Sequence, residues 1–203
     1  MNPWLFTIPI AYLLGSIPFG YLLVRIFRKQ DIRASGSGNI GATNVARSGA
    51  KGLGILTLLL DLGKALLAVL IARHLSPANL DLPMGAAIAA ILGHVFPVWL
   101  GFSGGKGVAS ALGIIIGLAP LASLCVLGVF LAVVLTTRYV SLASIIAAAS
   151  FPVFGLLFLH HPSHFVLFGL FFIPALVCIK HQANIRRLLS GTESRFGQRK
   201  AAA

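Results

Sequence analysis

Seven stretches of the chain are almost wholly apolar, at 3–24, 53–73, 83–100, 107–119, 121–136, 139–159 and 165–179. Polar, glycine-rich sequence is confined to a few of the gaps between them. A run of about 20 apolar residues is what a helix needs to cross a bilayer, and in lipid its backbone groups must be satisfied within the segment. The pattern therefore predicts an all-α polytopic membrane bundle of seven spans. The fourth run is short: at about 1.5 Å per residue it reaches roughly 20 Å, so 107–136 is read as a tilted hairpin, a thinned region or a re-entrant feature. Ser16-xxx-Gly20 and Gly113-xxx-Gly117 predict close helix approach. Most of the remaining residues fall in 25–52 and 180–203, which leaves no room for a soluble domain, so 1–203 is read as a single membrane domain.

Charge sets the orientation. Sixteen Lys and Arg face four acids, a formal +12, while charged residues make up only 10% of the chain and mean hydropathy is +0.96. Arg25, Arg28, Lys29, Arg33, Arg47 and Lys51 lie in one long polar segment and Lys180, Arg186, Arg187, Arg195, Arg199 and Lys200 in the other, with Lys106 and Arg138 in short loops. Positive loops stay in the cytoplasm, which predicts the N-terminus outside and the C-terminus inside. Bases placed beside apolar runs fit anionic headgroups or phosphorylated substrates and exclude a nucleic-acid partner. No base precedes the first run and no small-residue cleavage site follows it, so no removed signal peptide is expected. Cys125 and Cys178 lie inside apolar runs as packing residues, and neither a disulfide nor a metal site is predicted.

Three cytoplasmic segments, within 25–52, 93–109 and 180–203, carry the candidate chemistry. In Ser35-Gly-Ser-Gly-Asn-Ile-Gly-Ala-Thr-Asn-Val-Ala-Arg47, glycines including Gly41 allow backbone N–H groups to turn inward as an anion nest. Ser37, Asn39, Thr43 and Asn44 would add donors and Arg47 a charge clamp; a flexible connector is the plainer reading. Its G-x-G-x-x-G spacing does not signal a dinucleotide site, because a membrane helix and not a strand precedes it.

The second segment runs from Gly93-His94 to Ala109, and Lys106 follows Gly104 and Gly105 at the start of an apolar run, where a phosphate meets an ammonium and a helix N-terminus together. Walker A spacing fails at Leu100 and Gly107, and the G-x-S-x-G around Ser103 lacks a strand-turn-helix setting. His94 is read either as a base or polar contact, or as a structural histidine near a helix end. In the third segment, His181, Asn184 and either Arg187 or Leu188 share a helix face, and a short interfacial helix would present His, amide and guanidinium to one pocket. An electrostatic lipid-anchoring tail is the alternative, and it accounts for Arg195, Arg199 and Lys200 better than for Asn184 or Glu193. Ser141 and Ser144 stand near the same face as hydroxyl donors. Asp61 and Lys64, mid-span at i, i+3, are either functional ionisable groups or a structural ion pair. His160, His161 and His164 fall on the opposite side.

The three segments, SGSGNIGATNVAR, GHVFPVWLGFSGGKGVA and HQANIRRLLSGTE, resemble in order and placement the motifs of the bacterial acyl-phosphate-dependent glycerol-3-phosphate acyltransferase family, over essentially the whole chain. The resemblance implies transfer of a fatty acyl group from acyl phosphate to the sn-1 hydroxyl of glycerol 3-phosphate, giving lysophosphatidic acid and phosphate, as the first step of phospholipid synthesis. It implies a multi-pass protein of the bacterial plasma membrane, with no cofactor, membrane lipids as surroundings and a functional link to an enzyme that makes acyl phosphate. Glycerol-phosphate contacts would fall on Ser37, Arg47, Lys106, His181 and Asn184, and acyl-phosphate contacts on Gly41, Thr43, Gly104, Gly105 and Ser144. Lys106, Arg47 and His181 would be catalytic, with Asn39, Asn44, His94, Ser141, Arg187 and Glu193 in support. Ser103 and Gln182 stand where the family commonly carries basic residues. No histidine is followed by Asp five positions on, so the H-x-x-x-x-D motif of other glycerolipid acyltransferases is absent.

The residues themselves agree: two phosphorylated substrates and a lipid product need a cationic, glycine-lined pocket beside an apolar channel. Direct displacement without an acyl-enzyme is expected, with His181 or a substrate phosphate oxygen as base. A transporter for an organophosphate or lipid would spread polar residues over both faces, and a lipid-binding scaffold would not need three separated motifs.

Overall fold

In the computed structural model, residues 2–197 are described; the expectations placed on Arg199 and Lys200 lie outside them. The described residues are helical, with no strand. In chain order they form α1 (Trp4–Ser16), α2 (Phe19–Arg28), α3 (Ala42–Arg47), α4 (Lys51–Leu75), α5 (Asp81–Val95), α6 (Val108–Leu118), α7 (Pro120–Thr137), α8 (Val140–Phe158), α9 (His164–Lys180) and α10 (Gln182–Leu189).

Each of the seven apolar runs becomes helix, but five segments are long and apolar enough to cross a membrane: Trp4–Arg28, α4, Asp81–Leu100, α7 and α8. A sixth appears when α9 and α10, bent by 58°, are taken together. The fourth run yields only the 11 residues of α6. The first run is not one helix over 3–24. Pro18 supplies no N–H and forces Ile17 into an extended conformation (φ −61°, ψ 114°), so α1 stops at Ser16 and α2 continues past the expected end to Arg28. The third run likewise loses its helix at Val95, just before Pro97, and finishes as a 3-10 turn at Val98–Leu100.

The middle of the bundle is α5, whose small and branched residues Ala86, Ala87, Ala90, Ile91 and Val95 are buried. Small residues set the approach distances, as they must where lipid removes the hydrophobic drive between helices and packing takes over. A methyl at Gly15 would enter the Ala90 carbonyl, and one at Gly113 the Leu62 carbonyl, so α1 lies against α5 and α6 against α4, backbone to backbone. Gly117 completes the α6 seam against Val69. Gly20 does something different from the helix–helix contact expected of it, because it packs on the carbonyl of Ile40 and so docks the first motif segment onto α2. Leucines such as Leu59, Leu124 and Leu135 remain exposed, forming an apolar outer surface suited to lipid.

The three motif segments share one end of the bundle. At the other end Arg73 Nη1 donates to the Gly117 carbonyl (2.7 Å), and Ser163 donates to the Asp81 carboxylate.

Candidate active site

The first motif segment is organised by one amide. Asn44 is buried in α3; its Nδ2 donates to the carbonyls of Asn39 (2.8 Å), Ser35 (3.0 Å) and Ile32 (3.3 Å), and its Oδ1 accepts the Ser37 N–H (2.9 Å). Asn44 is therefore not the free phosphate donor the sequence suggested; its donors hold the loop. Asn39 Oδ1 similarly accepts the Gly41 N–H (2.8 Å). The segment is neither a flexible connector nor a continuous glycine nest, because Ala42–Arg47 is a helical turn whose Val45 joins Val24, Ile32 and Ile40 in a small core that Leu100 of the second motif touches. Ser37 and Thr43 keep exposed side chains. Exposed Arg47 reaches the third motif, with Nη2 donating to the Ser194 carbonyl (3.3 Å).

In the second segment, the N–H of Gly104 donates to the Val95 carbonyl and that of Gly105 to the His94 carbonyl, both at 3.1 Å. The turn is thus pinned to the end of α5, and those two N–H groups are not the free donors expected for a phosphate. Lys106 follows directly, and Gly107, in the left-handed region at φ 84°, opens α6, whose first N–H groups have no intrahelical partner. His94 is buried beneath the turn, with Nδ1 3.6 Å from Asp61 Oδ1, so its ring faces the bundle interior. Asp61 and Lys64 are the buried ion pair, with Nζ 2.7 Å from Oδ1.

The third segment supplies the other half of the site. Lys106 Nζ donates to Asn184 Oδ1 (2.5 Å), and Asn184 Nδ2 donates to Glu193 Oε1 (2.7 Å). Ser141 donates to the same oxygen (2.7 Å) and Arg187 Nε to Oε2 (2.6 Å). An amide whose N–H is claimed by a carboxylate must turn its oxygen to the lysine, so Glu193 fixes Asn184 and Asn184 fixes Lys106. Burial pushes the Glu193 carboxyl up, but the hydrogen bonds from Asn184, Ser141 and Arg187 outweigh it and hold the group below its ordinary value. Lys106 is lowered to about 8, by burial first and then by the guanidinium of Arg187, with Glu193 opposing and Arg47 adding to the repulsion.

His181 is buried at the break between α9 and α10. Its Nδ1 faces the Val177 carbonyl at 2.8 Å, which requires the proton on Nδ1 and leaves Nε2 with the lone pair. Burial lowers its pKa to about 4, helped by the Lys106 charge and opposed by the Val177 bond and by Glu193, so the ring is neutral at physiological pH.

Two further expectations change. Ser144 is buried and gives its hydroxyl back to the Val140 carbonyl (2.8 Å), so it is not aimed outward as a donor. Arg195 is not a loose lipid anchor: its guanidinium lies 5.1 Å over the Tyr139 ring and Nε donates to the Tyr139 hydroxyl (3.0 Å), while Phe196 N–H donates to the Arg138 carbonyl (2.6 Å). Tyr139 and the Arg138 carbonyl, which strap the tail to the α7–α8 turn, escaped the sequence reading; an aromatic residue directly after an interfacial base was their one signal.

The glycerol-3-phosphate acyltransferase family profile matches residues 5–191, which include nearly all of this network. The chain belongs to the glycerol-3-phosphate acyltransferase family. A relative named glycerol-3-phosphate acyltransferase from Mesorhizobium japonicum is 53% identical over 92% of this chain and 93% of its own length. The solved structure of PlsY (YgiH), an integral membrane glycerol 3-phosphate acyltransferase in its glycerol 3-phosphate form, superimposes with a TM-score of 0.91 at 43% identity, covering 97% of this chain and 96% of that one. The lysophosphatidic acid form gives 0.88 at 42% identity over the same shares. Membership in this acyltransferase family places the chain in the membrane and in phospholipid synthesis.

Proposed function

We propose that the protein transfers a fatty acyl group from acyl phosphate to the sn-1 hydroxyl of glycerol 3-phosphate, releasing 1-acyl-glycerol 3-phosphate (lysophosphatidic acid) and phosphate. The reading rests on one observation: Lys106, Arg187 and Arg47 converge with a neutral, buried histidine at one end of an apolar bundle. Three cations suit two phosphorylated substrates, and the partial burial of Lys106 strengthens its pull on developing charge. That solved relatives carry glycerol 3-phosphate and lysophosphatidic acid supports the acceptor and the product.

In this reading Ser37, Arg47, Lys106, His181 and Asn184 hold glycerol 3-phosphate, while Thr43, Gly41 and the surface of the Gly104–Gly105 turn adjoin the acyl phosphate. The acceptor hydroxyl oxygen attacks the acyl carbonyl carbon, the bond from that carbon to the phosphate oxygen breaks, and phosphate leaves with the electron pair. His181 Nε2 accepts a hydrogen bond from the hydroxyl and orients it. The proton itself passes to a phosphate oxygen, since a phosphate monoester titrates near ~6 and is the stronger base beside an imidazole lowered to about 4. Acyl phosphate is already activated, so positioning and charge stabilisation are all the protein must supply.

The chain is one membrane domain of seven spans, α6 and α7 forming a short hairpin, with its N-terminus outside and its site on the cytoplasmic face of the bacterial plasma membrane. An enzyme that makes acyl phosphate supplies the donor. Incubation of the purified protein with glycerol 3-phosphate and either palmitoyl phosphate or palmitoyl-CoA tests the reading: lysophosphatidic acid from the phosphate donor alone supports it, and product from the CoA donor alone overturns it.

A further inference from the structure

Beneath the lysine turn, three ionisable side chains from two helices meet in the bundle interior. Asp61 and Lys64 of α4 are paired, Lys64 Nζ also donates to the Ile17 carbonyl (2.7 Å) left open where Pro18 breaks the first span, and His94 Nδ1 of α5 lies 3.6 Å from Asp61 Oδ1. The ring of Phe19 closes over the ammonium at 5.6 Å. Such groups are costly inside a membrane protein and persist where they do something. Neutralising the pair does not require His94, whose buried Nδ1 faces Asp61 Oδ1 from beyond hydrogen-bond range and has no hydrogen-bond partner among the described residues.

The far edge of the same imidazole is the seat of Gly105. A methyl at Gly105 would fall on His94 Nε2, with Cε1 at 2.7 Å and Cδ2 at 3.0 Å, and the Gly105 N–H is bound by the His94 carbonyl. Four residues beyond Lys106, Ser110 Oγ donates to the Asp61 carbonyl (3.1 Å). Lys106 is therefore bracketed by two features beside Asp61: the His94 ring packed under Gly105, and Ser110 at the start of α6, bonded to the Asp61 carbonyl.

We propose that His94, seated beside the Asp61–Lys64 pair, is a positioning residue that fixes the Gly104–Gly105 turn and thereby aims Lys106 at the phosphate. This rests on the acyl-transfer reading above. His94→Asn and His94→Leu separate it from simple space filling, because the two side chains are of similar size and only Asn keeps a nitrogen facing Asp61. Leu is the better filler of an apolar interior; Asn is the better replacement for an anchor.

The experiment measures kcat/KM with palmitoyl phosphate and glycerol 3-phosphate, and amide hydrogen exchange of the peptide over 102–108 by mass spectrometry, on both variants and the parent. Asn is expected within tenfold of the parent with near-parent exchange protection; Leu is expected to lose about a hundredfold in kcat/KM and to exchange the turn amides at least tenfold faster, with an unchanged melting temperature. If Leu does not fold, His94→Ala takes its place with the same readouts. Equal or better turnover in Leu than in Asn, or unchanged turn protection in folded Leu or Ala, overturns the proposal. A parent that exchanges as expected but turns over neither substrate would sink the acyl-transfer reading alone.

Discussion

The ammonium of Lys106 meets the side-chain oxygen of Asn184 at 2.5 Å across 78 residues of chain, and Asn184 is in turn held by Glu193. The relay explains why a lysine, an amide and a carboxylate are all present although only the lysine carries the charge that a phosphate needs. Each member sets the geometry of the one before it.

Replacing Asn184 by Leu removes the oxygen that steadies the lysine while leaving the charge in place. Transition-state interactions of this kind are worth roughly a hundredfold, so kcat/KM should drop by about that factor in steady-state assays of folded protein. A loss under fivefold would mean the contact does not position Lys106.

Glu193→Ala strips Asn184 and Ser141 of their shared acceptor and Arg187 of its ion partner. The partly exposed Arg187 pair contributes under about 1 kcal/mol; the stranded buried amide and hydroxyl bring the total to roughly 2 kcal/mol. The expected outcome is a melting temperature lower by roughly 5 °C, together with loss of turnover. Glu193→Gln, which retains an acceptor, should recover most of the stability.

The two lowered pKa values set the protein's own part of the pH profile, beside an acid limb at pH ~6 from the substrate phosphate that takes the proton. With Lys106 near 8, its cation is full at neutral pH and lost as pH rises, so log(kcat/KM) should fall on the alkaline side with an apparent pKa of about 8. His181, near 4, is neutral across that range and contributes no limb above pH 5. Lys106→Arg stays charged and should abolish the alkaline limb even where it lowers the rate; persistence of the limb would assign it to another group.

At the glycine turn, Gly105→Ala drives a methyl into the His94 ring and Gly104→Ala into the His94 carbonyl. Both are expected to fold and to lose at least tenfold in activity, whereas Gly52→Ala and Gly128→Ala, with open space at the added carbon, should match the parent. Parallel assays of the four variants check this.

What the sequence revealed and what it hid divide along physical lines. Apolar runs bounded by polar turns gave every long helix, because in lipid the span itself is dictated by backbone satisfaction. Residue type identified Lys106, Arg47, His181 and Asn184 as chemically able. Partners were another matter: nothing local shows that Asn44 commits its amide to Ile32, Ser35 and Asn39, or that Ser141 meets Glu193 52 residues away. The glycine N–H groups at 104 and 105 looked free because their acceptors lie on another element, at the end of α5. Pro18 was visible all along, and its effect on the first span followed from its missing N–H.

The central claim is direct acyl transfer from acyl phosphate at the Lys106 site, and pre-steady-state phosphate release tests it most directly. Folded protein mixed with palmitoyl phosphate alone should release no burst of phosphate; adding glycerol 3-phosphate should yield phosphate and lysophosphatidic acid one for one, and Lys106→Ala should yield neither. A stoichiometric burst without acceptor, or equal turnover in Lys106→Ala, would contradict the account.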